Sequence, residues 1–213
     1  MRAIILYATR EGQTAKIADR ISRTLADCGV PADTFDVSRY DATNLAVESY
    51  QAVVLGSSLH QGQYDSKISS CIDRYRSLLS RIPTAYYSVS LGIISKRSQD
   101  ECEAHQIAIR YLREHHFAPS RTAHFAGALR YSKYGWLTRH LMRSIAKNSG
   151  YETSMDQDYE YTQWDLVDEF ARDFARFVHR CRQPRPRCRP NHGVPPKYQE
   201  YSVRNAGSKS SDA

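Results

Sequence analysis

The chain has 213 residues, 41% of them hydrophobic, enough for one packed domain with additions. No stretch approaches the ~18 consecutive apolar residues of a spanning helix, and an apolar strand pattern begins at residue 3, so neither a membrane span nor a signal peptide is expected. The formal charge of +7 is uneven: from Cys181 onward seven basic residues face two acidic ones, leaving residues 1–180 only weakly basic, and a nucleic-acid partner is not expected.

The first element is the apolar run Ala3-Ile4-Ile5-Leu6-Tyr7, read as a strand. Thr9-Arg10-Glu11-Gly12-Gln13-Thr14 follows, and then the helical spacing Ile17, Ile21, Leu25. A strand, a tight turn and a helix N-terminus offer backbone N–H groups and the positive end of a helix dipole to an anion. Gly12 allows close backbone approach, and the hydroxyls of Thr9 and Thr14 can donate to phosphate oxygens. There is no G-x-x-x-x-G-K-[ST] and no G-x-G-x-x-G. A lysine-free turn of hydroxyls and amides suits a terminal monophosphate, as in FMN. Taken alone, T-x-x-G-x-T also fits an ordinary polar turn.

Gly29 stops the first helix, and Ala32 to Val37 reads as a second strand after Pro31. Residues 41–48 are a weakly patterned connection. Ala52-Val53-Val54-Leu55-Gly56 is a continuous apolar run, as expected of a strand covered on both faces. The loop Ser57–Tyr64 leads to a helix carrying Ile68, Ile72, Tyr75 and Leu79, ended by Pro83. Ala85 to Leu91 is a fourth strand. Ser98 with Glu101 forms a capping box for a helix carrying Ala104, Ile107, Ala108, Tyr111 and Leu112. Arg121 to Gly127 is a fifth strand. The last helix runs from a cap at Thr162 through Val167, Phe170, Phe174 and Phe177.

Five βα units of this length predict a doubly wound parallel sheet of order 2-1-3-4-5, a flavodoxin-like α/β fold over residues 1–180. Ligands of such sheets sit beyond the C-terminal strand ends. Cofactor contacts are therefore expected from Thr9, Arg10, Glu11, Gly12, Gln13 and Thr14, from Ser58 and Leu59, and from Ser88, Val89, Ser90 and Leu91.

Two segments exceed a minimal version of the fold. About thirty residues separate strand 5 from the last helix, and loops that long are usually functional or disordered. Residues 128–151 hold Arg130, Lys133, Arg139, Arg143 and Lys147 and no acid, interleaved with Trp136, Leu137, Leu141, Met142 and Ile145 at helical spacing. A basic amphipathic helix of this kind suits an anionic membrane surface. It equally suits packing on the sheet edge with its charges solvated. Tyr131, Tyr134 and Trp136 could stack on a flat ring or mark an interface. Residues 181–213, rich in Pro, Arg, Ser and Gly, are expected to be a disordered basic tail. The five cysteines include no C-x-x-C pair, which predicts reduced thiols and no metal site.

Thr9–Thr14, Ala85-Tyr86-Tyr87-Ser88-Val89, and above all Gly127-Ala128-Leu129-Arg130-Tyr131 with Trp136 downstream resemble the bacterial flavodoxin-like protoporphyrinogen oxidases, the menaquinone-dependent dehydrogenases of haem biosynthesis. The resemblance spans about residues 1–180. The family pattern has T-D-W where this chain has Thr162-Gln163-Trp164, and G-G where it has Gly150-Tyr151. The resemblance implies FMN, protoporphyrinogen IX as substrate, and a respiratory quinone (menaquinone or ubiquinone) as acceptor. It also implies peripheral attachment to the cytoplasmic face of the bacterial plasma membrane. Substrate or membrane contacts are then expected from Arg130, Tyr131, Tyr134, Trp136, Arg139, Arg143 and Lys147. The flavin does the redox chemistry, so no catalytic acid or base is assigned; His60 reads as a loop histidine. The alternatives are a flavodoxin-type electron carrier, disfavoured by the basic insertion, and an NAD(P)H:quinone reductase. A flavin-free membrane-surface module is the non-enzymatic reading.

Overall fold

A computed structural model of the chain describes residues 1–42, 45–91, 98–129, 159–182 and 200–201. Chain order is β1 (Ala3–Ala8), α1 (Gln13–Asp27), β2 (Ala32–Asp36), a 3-10 turn (Val47–Ser49), β3 (Ala52–Ser58), α2 (Ser66–Arg74), α3 (Arg76–Leu79), β4 (Thr84–Ser90), α4 (Ser98–Glu114), β5 (Arg121–Ala126), β6 (Ala128–Leu129), β7 (Tyr159–Glu160), α5 (Trp164–Arg182) and β8 (Glu200–Tyr201). The sheet order is β2-β1-β3-β4-β5-β8, parallel at each pairing, so the expected 2-1-3-4-5 order is present with one strand added. Ala3 faces Ala32 on one side and Ala52 on the other, which makes β1 the central strand of the switch point.

Alternation along the strands sends successive side chains to opposite faces. Ala3, Ile5, Val54, Tyr87 and Phe125 pack under α1 and α5; Ile4, Leu6, Val53, Leu55 and Tyr86 pack under α2, α3 and α4. Both faces are dry enough that the β1 and β3 residues named here are at most 1% exposed, which explains their unbroken apolar sequence. Helix α1 ends as its sequence implies. Gly29 has φ +79°, its N–H reaches Ala26 O at 2.9 Å, and Val30 N–H reaches Leu25 O at 2.9 Å, the paired bonds of a Schellman motif.

Four expectations change. The helix read from Ile68 to Leu79 is two helices, broken at Tyr75 (φ −98°, ψ 14°), whose hydroxyl donates to the carbonyls of Ala42 and Leu45. Thr162 does not cap the last helix. Its hydroxyl donates to Ala126 O at 2.7 Å, and the helix begins at Trp164. Strand β5 ends at Ala126, and the backbone resumes at Ala128 as a short antiparallel pair with β7, Ala128 opposite Glu160. This pair brings the two ends of the long insertion together; residues 130–158 lie outside the described residues. Finally, the tail is not wholly separate from the domain. Arg182 still belongs to α5, and Glu200–Tyr201 pairs with Thr122 and Ala123, covering part of the β5 edge. Residues 183–199 and 202–213 lie outside the described residues.

Candidate functional site at the strand C-termini

The loops after β1, β3, β4 and β5 meet around a cleft of about 300 Å³. Its walls are Thr9, Arg10, Glu11, Gln13 and Thr14 from the first turn, Ser58 to Gly62 from the second, Val89, Ser90 and Leu91 from the third, and Gly127 and Ala128. Most of the expected contact residues are thus brought together from loops far apart in sequence.

The first turn is held by its own side chains. Gly12 N–H donates to Thr9 Oγ1 at 3.0 Å, which leaves the Thr9 hydroxyl proton as a donor. Gly12 has φ +94°, and a Cβ there would meet no protein atom within 4 Å. Glycine is therefore required by the left-handed backbone, not by crowding from the protein. The first amide with an i−4 acceptor is Lys16 N–H, bonded to Gly12 O at 3.1 Å. The first turn of α1 carries no acidic residue, so nothing within it offsets the positive end of the helix dipole. Lys16 turns away to Glu160 at 2.7 Å.

Three contacts fix this turn against the sheet. Gln13 Nε2 donates to Thr162 Oγ1 at 2.8 Å, and Thr162 in turn donates to Ala126 O, tying α1 to the end of β5 and the approach to α5. Arg20 forms a two-pronged pair with Asp168, Nε to Oδ1 at 2.7 Å and Nη2 to Oδ2 at 2.6 Å, and Thr24 donates to the same carboxylate at 2.8 Å. The Arg20 guanidinium holds the Asp168 carboxyl below its ordinary pKa. None of the three contacts was expected from the sequence. In the third, the Tyr87 hydroxyl donates to Thr14 O at 3.1 Å from within the core. Its ring crosses Gly56, where a Cβ would lie 2.0 Å from Tyr87 Cζ. Gly56 is the space through which Tyr87 reaches α1.

The second loop is a two-residue hairpin. His60 and Gln63 exchange both backbone hydrogen bonds, at 2.9 and 3.0 Å, and the intervening Gln61 and Gly62 have φ +51° and +75°. Positive φ at both central residues is the type I′ combination. A glutamine held there stores local backbone strain at the cleft rim. Burial lowers the His60 imidazole below its ordinary pKa, with Glu11 acting in the opposite direction. His60 is therefore a neutral group in the cleft wall at pH 7.

Ser88 is placed differently from the expectation. It is not in the cleft wall. It is 1% exposed on the α4 side of the sheet, with Oγ 3.3 Å from His124 Nδ1. The period-2 alternation places it one pleat deeper than Ser90. His60, Gln61, Gly62, Gly127 and Ala128 line the cleft but were not among the expected contacts. The signal for the first three was the polar Ser57–Tyr64 loop, and for the last two the Gly127–Tyr131 motif. Arg130, Tyr131, Tyr134, Trp136, Arg139, Arg143 and Lys147 lie outside the described residues. Among the described residues no helix is long and apolar enough to cross a membrane.

Comparison with known proteins adds lineage to this geometry. Residues 4–156 match the family described as Flavodoxin domain. The protoporphyrinogen IX dehydrogenase [quinone] of Escherichia coli K12 is 34% identical over 178 residues, 84% of this chain and 97% of that protein. The protein of the same name from Leishmania major is 32% identical over 175 residues, 82% of this chain and 74% of that one. Among solved structures, the rubredoxin oxygen:oxidoreductase of Desulfovibrio gigas aligns with a TM-score of 0.53 at 11% identity, over 84% of this chain and 36% of that chain. The flavodiiron core Flv1 of Synechocystis gives 0.52 at 13%, over 85% and 36%. The present chain spans about a third of those two structures, and at such identities they show a shared fold alone. On the family match and the near full-length identity to the curated relatives, the chain belongs to the flavodoxin-domain family, in the branch that holds the quinone-linked protoporphyrinogen IX dehydrogenases.

Proposed function

We propose that this chain is an FMN-dependent protoporphyrinogen IX dehydrogenase that passes electrons to a respiratory quinone (menaquinone or ubiquinone). The observation that carries this reading is the 34% identity across 97% of the E. coli enzyme of that name. The cleft fits the cofactor. Its Thr9–Thr14 turn offers hydroxyls, helix-start amides and the Arg10 guanidinium, with no acid in the first turn of α1 and no lysine in the wall, a donor set that suits a monophosphate. Thr9, Arg10, Glu11, Gln13 and Thr14 would hold the phosphate, while Gly12, expected among the contacts, is outside the cleft wall and sets the turn through its left-handed backbone and its N–H to Thr9. Ser58, Leu59, Val89, Ser90 and Leu91 would flank the ring, with Gly127 and Ala128 at the rim. Bound FMN supplies two-electron acceptance and transfer. The protein's part is to clamp the phosphate turn rigidly through Tyr87, Thr162 and Asp168, and to present the ring edge beside the root of the insertion.

That root is the β6–β7 pair, and Ala128 belongs both to it and to the cleft wall. The insertion therefore leaves the domain at the rim of the cleft. In this reading Arg130 pairs with a propionate of the porphyrinogen, and Tyr131, Tyr134 and Trp136 contact its rings. Arg139, Arg143 and Lys147 face an anionic membrane surface on the cytoplasmic side of the plasma membrane, each contributing about 1 kcal/mol.

Anaerobic addition of protoporphyrinogen IX should bleach the flavin absorbance of the purified protein, and menaquinone should restore it. A flavin bleached by NADH and not by porphyrinogen would select the NAD(P)H:quinone reductase instead. Replacing Arg139, Arg143 and Lys147 with Glu should release the protein from anionic vesicles while its FMN content stays intact. Loss of FMN in that variant would assign the insertion to the core.

A further inference from the structure

A second group of polar side chains lies directly behind the cleft wall, between β4, β5 and α4. Tyr64 follows the cleft hairpin, and Ser88 precedes the cleft-lining Val89. Ser88 Oγ is 3.3 Å from His124 Nδ1, and the His124 ring centroid is 4.4 Å from that of His105. The Tyr64 ring meets Tyr86 edge-on at 6.0 Å and Tyr111 at 4.7 Å.

Three atoms of this group are buried without a hydrogen-bond partner: Tyr64 Oη, Tyr86 Oη and His105 Nε2. The Tyr64 hydroxyl lies near those of Ser88 and Tyr86 without bonding geometry to either. Orphan hydroxyls are not general among these stacked tyrosines, because Tyr111 pairs with Ser69 at 3.2 Å. An orphan left dry gives up its hydrogen bonds to water and gains none in return. The Tyr64 and Tyr86 hydroxyls, lying beside each other and beside Ser88, point to a bound water, which needs two to four such partners. His124 extends the group further. With Arg113, Thr122 and four apolar side chains it lines a cavity of about 200 Å³ under α4.

We propose that Tyr64, Tyr86, Ser88, His105 and His124 enclose a water-holding proton relay that runs from the cleft wall to the cavity under α4. Burial pushes the His124 imidazole down to about 3, so at pH 7 it is neutral, with one donor and one acceptor nitrogen. The hydrated site stands on the orphan atoms alone; its role in turnover rests on the function proposed above. One dehydrogenation step breaks a C–H and an N–H bond of the porphyrinogen and leaves a new conjugated double bond. Bound FMN would take up the hydride equivalent, and the quinone would be the final two-electron acceptor. The proton leaves the nitrogen separately, and an equivalent proton is taken up when the quinone becomes quinol. The relay carries that proton between the cleft and the cavity under α4, whose rim includes the exposed Arg113.

Tyr86→Phe tests the water. If the hydroxyl holds a water, the variant melts lower, by about 2–4 °C for a chain of this size; a higher Tm would show a dry orphan and overturn the site. Tyr64→Phe, which keeps the stacked ring, and His124→Gln test the relay. Both should retain FMN and slow flavin bleaching by protoporphyrinogen about tenfold or more, with a larger solvent deuterium isotope effect than the parent protein. Unchanged bleaching rates and isotope effects in both would overturn the relay while leaving the proposed function standing. A parent protein that porphyrinogen does not bleach would defeat the function and the relay together, and the Tyr86→Phe melt would still decide the hydrated site.

Discussion

The two faces of the sheet are both covered by helices, yet they are built on different terms. On the α1/α5 face every polar group described at the centre of the packing has a named partner: Tyr87 with Thr14, Gln13 with Thr162, Arg20 and Thr24 with Asp168. On the α2–α4 face Tyr64, Tyr86 and His105 each bury a polar atom without one. The first face is the clamp that holds the Thr9–Thr14 turn still. The second carries polar groups that the fold by itself does not need, and that is where further chemistry is to be sought. A satisfied buried network rigidifies, whereas an incomplete one marks a place meant for something else.

The sharpest way to break the clamp is Gly56→Ala. The new methyl would lie 2.0 Å from a ring that is fully buried and anchored at its hydroxyl. Overpacking usually costs about 1–3 kcal/mol, and with no open side to relax into, this variant should reach or exceed the upper end. Thermal unfolding should show it, together with loss of bound flavin. A Tm within a degree of the parent would mean that Tyr87 can swing away, and that the clamp is looser than its geometry.

Asp168→Ala should come next. It removes a nearly buried acceptor shared by Arg20 and Thr24 and strands the Thr24 hydroxyl, for about 1–3 kcal/mol. The pH dependence has a definite sign. The Asp168 carboxyl titrates lower in the folded chain than in the unfolded one, so its contribution is fully present above the ordinary carboxylate range and is lost as pH falls through the depressed folded value. Tm should therefore fall less steeply in acid for Asp168→Ala than for the parent; parallel profiles would place the acid sensitivity elsewhere. The smallest effect is expected from Tyr87→Phe, which keeps the ring and loses one hydrogen bond, about 1 kcal/mol. Set beside Tyr86→Phe, its neighbour on the opposite face, it compares the faces directly. Removing a satisfied hydroxyl and removing one without a protein partner give like losses only if water completes the second.

The sequence by itself determined the order of elements and the place of the site. Short apolar runs such as Ala52–Leu55 read as strands covered on both faces, and in the expected order 2-1-3-4-5 the polar turns after strands 1, 3 and 4 converge. The turn Thr9–Thr14 was legible because its chemistry is local: a strand end, a glycine with positive φ and a helix start lie within a few residues. What tertiary structure decided is every relation that spans the chain. Gln13 and Thr162 are 149 residues apart, and nothing in either local pattern announces the other; Thr162 read as a helix cap because a cap is the local use of a threonine. Gly56 read as the end of a strand, and only the register that sets it opposite Tyr87 shows that the missing Cβ is the point. Ser88 and Ser90 differ by one pleat, and which one reaches the cleft depends on where β4 stops relative to its neighbours. Local composition determines which groups are available. The packing of distant strands and helices decides which of them face the ligand, which hold the frame, and which are left buried and waiting for water.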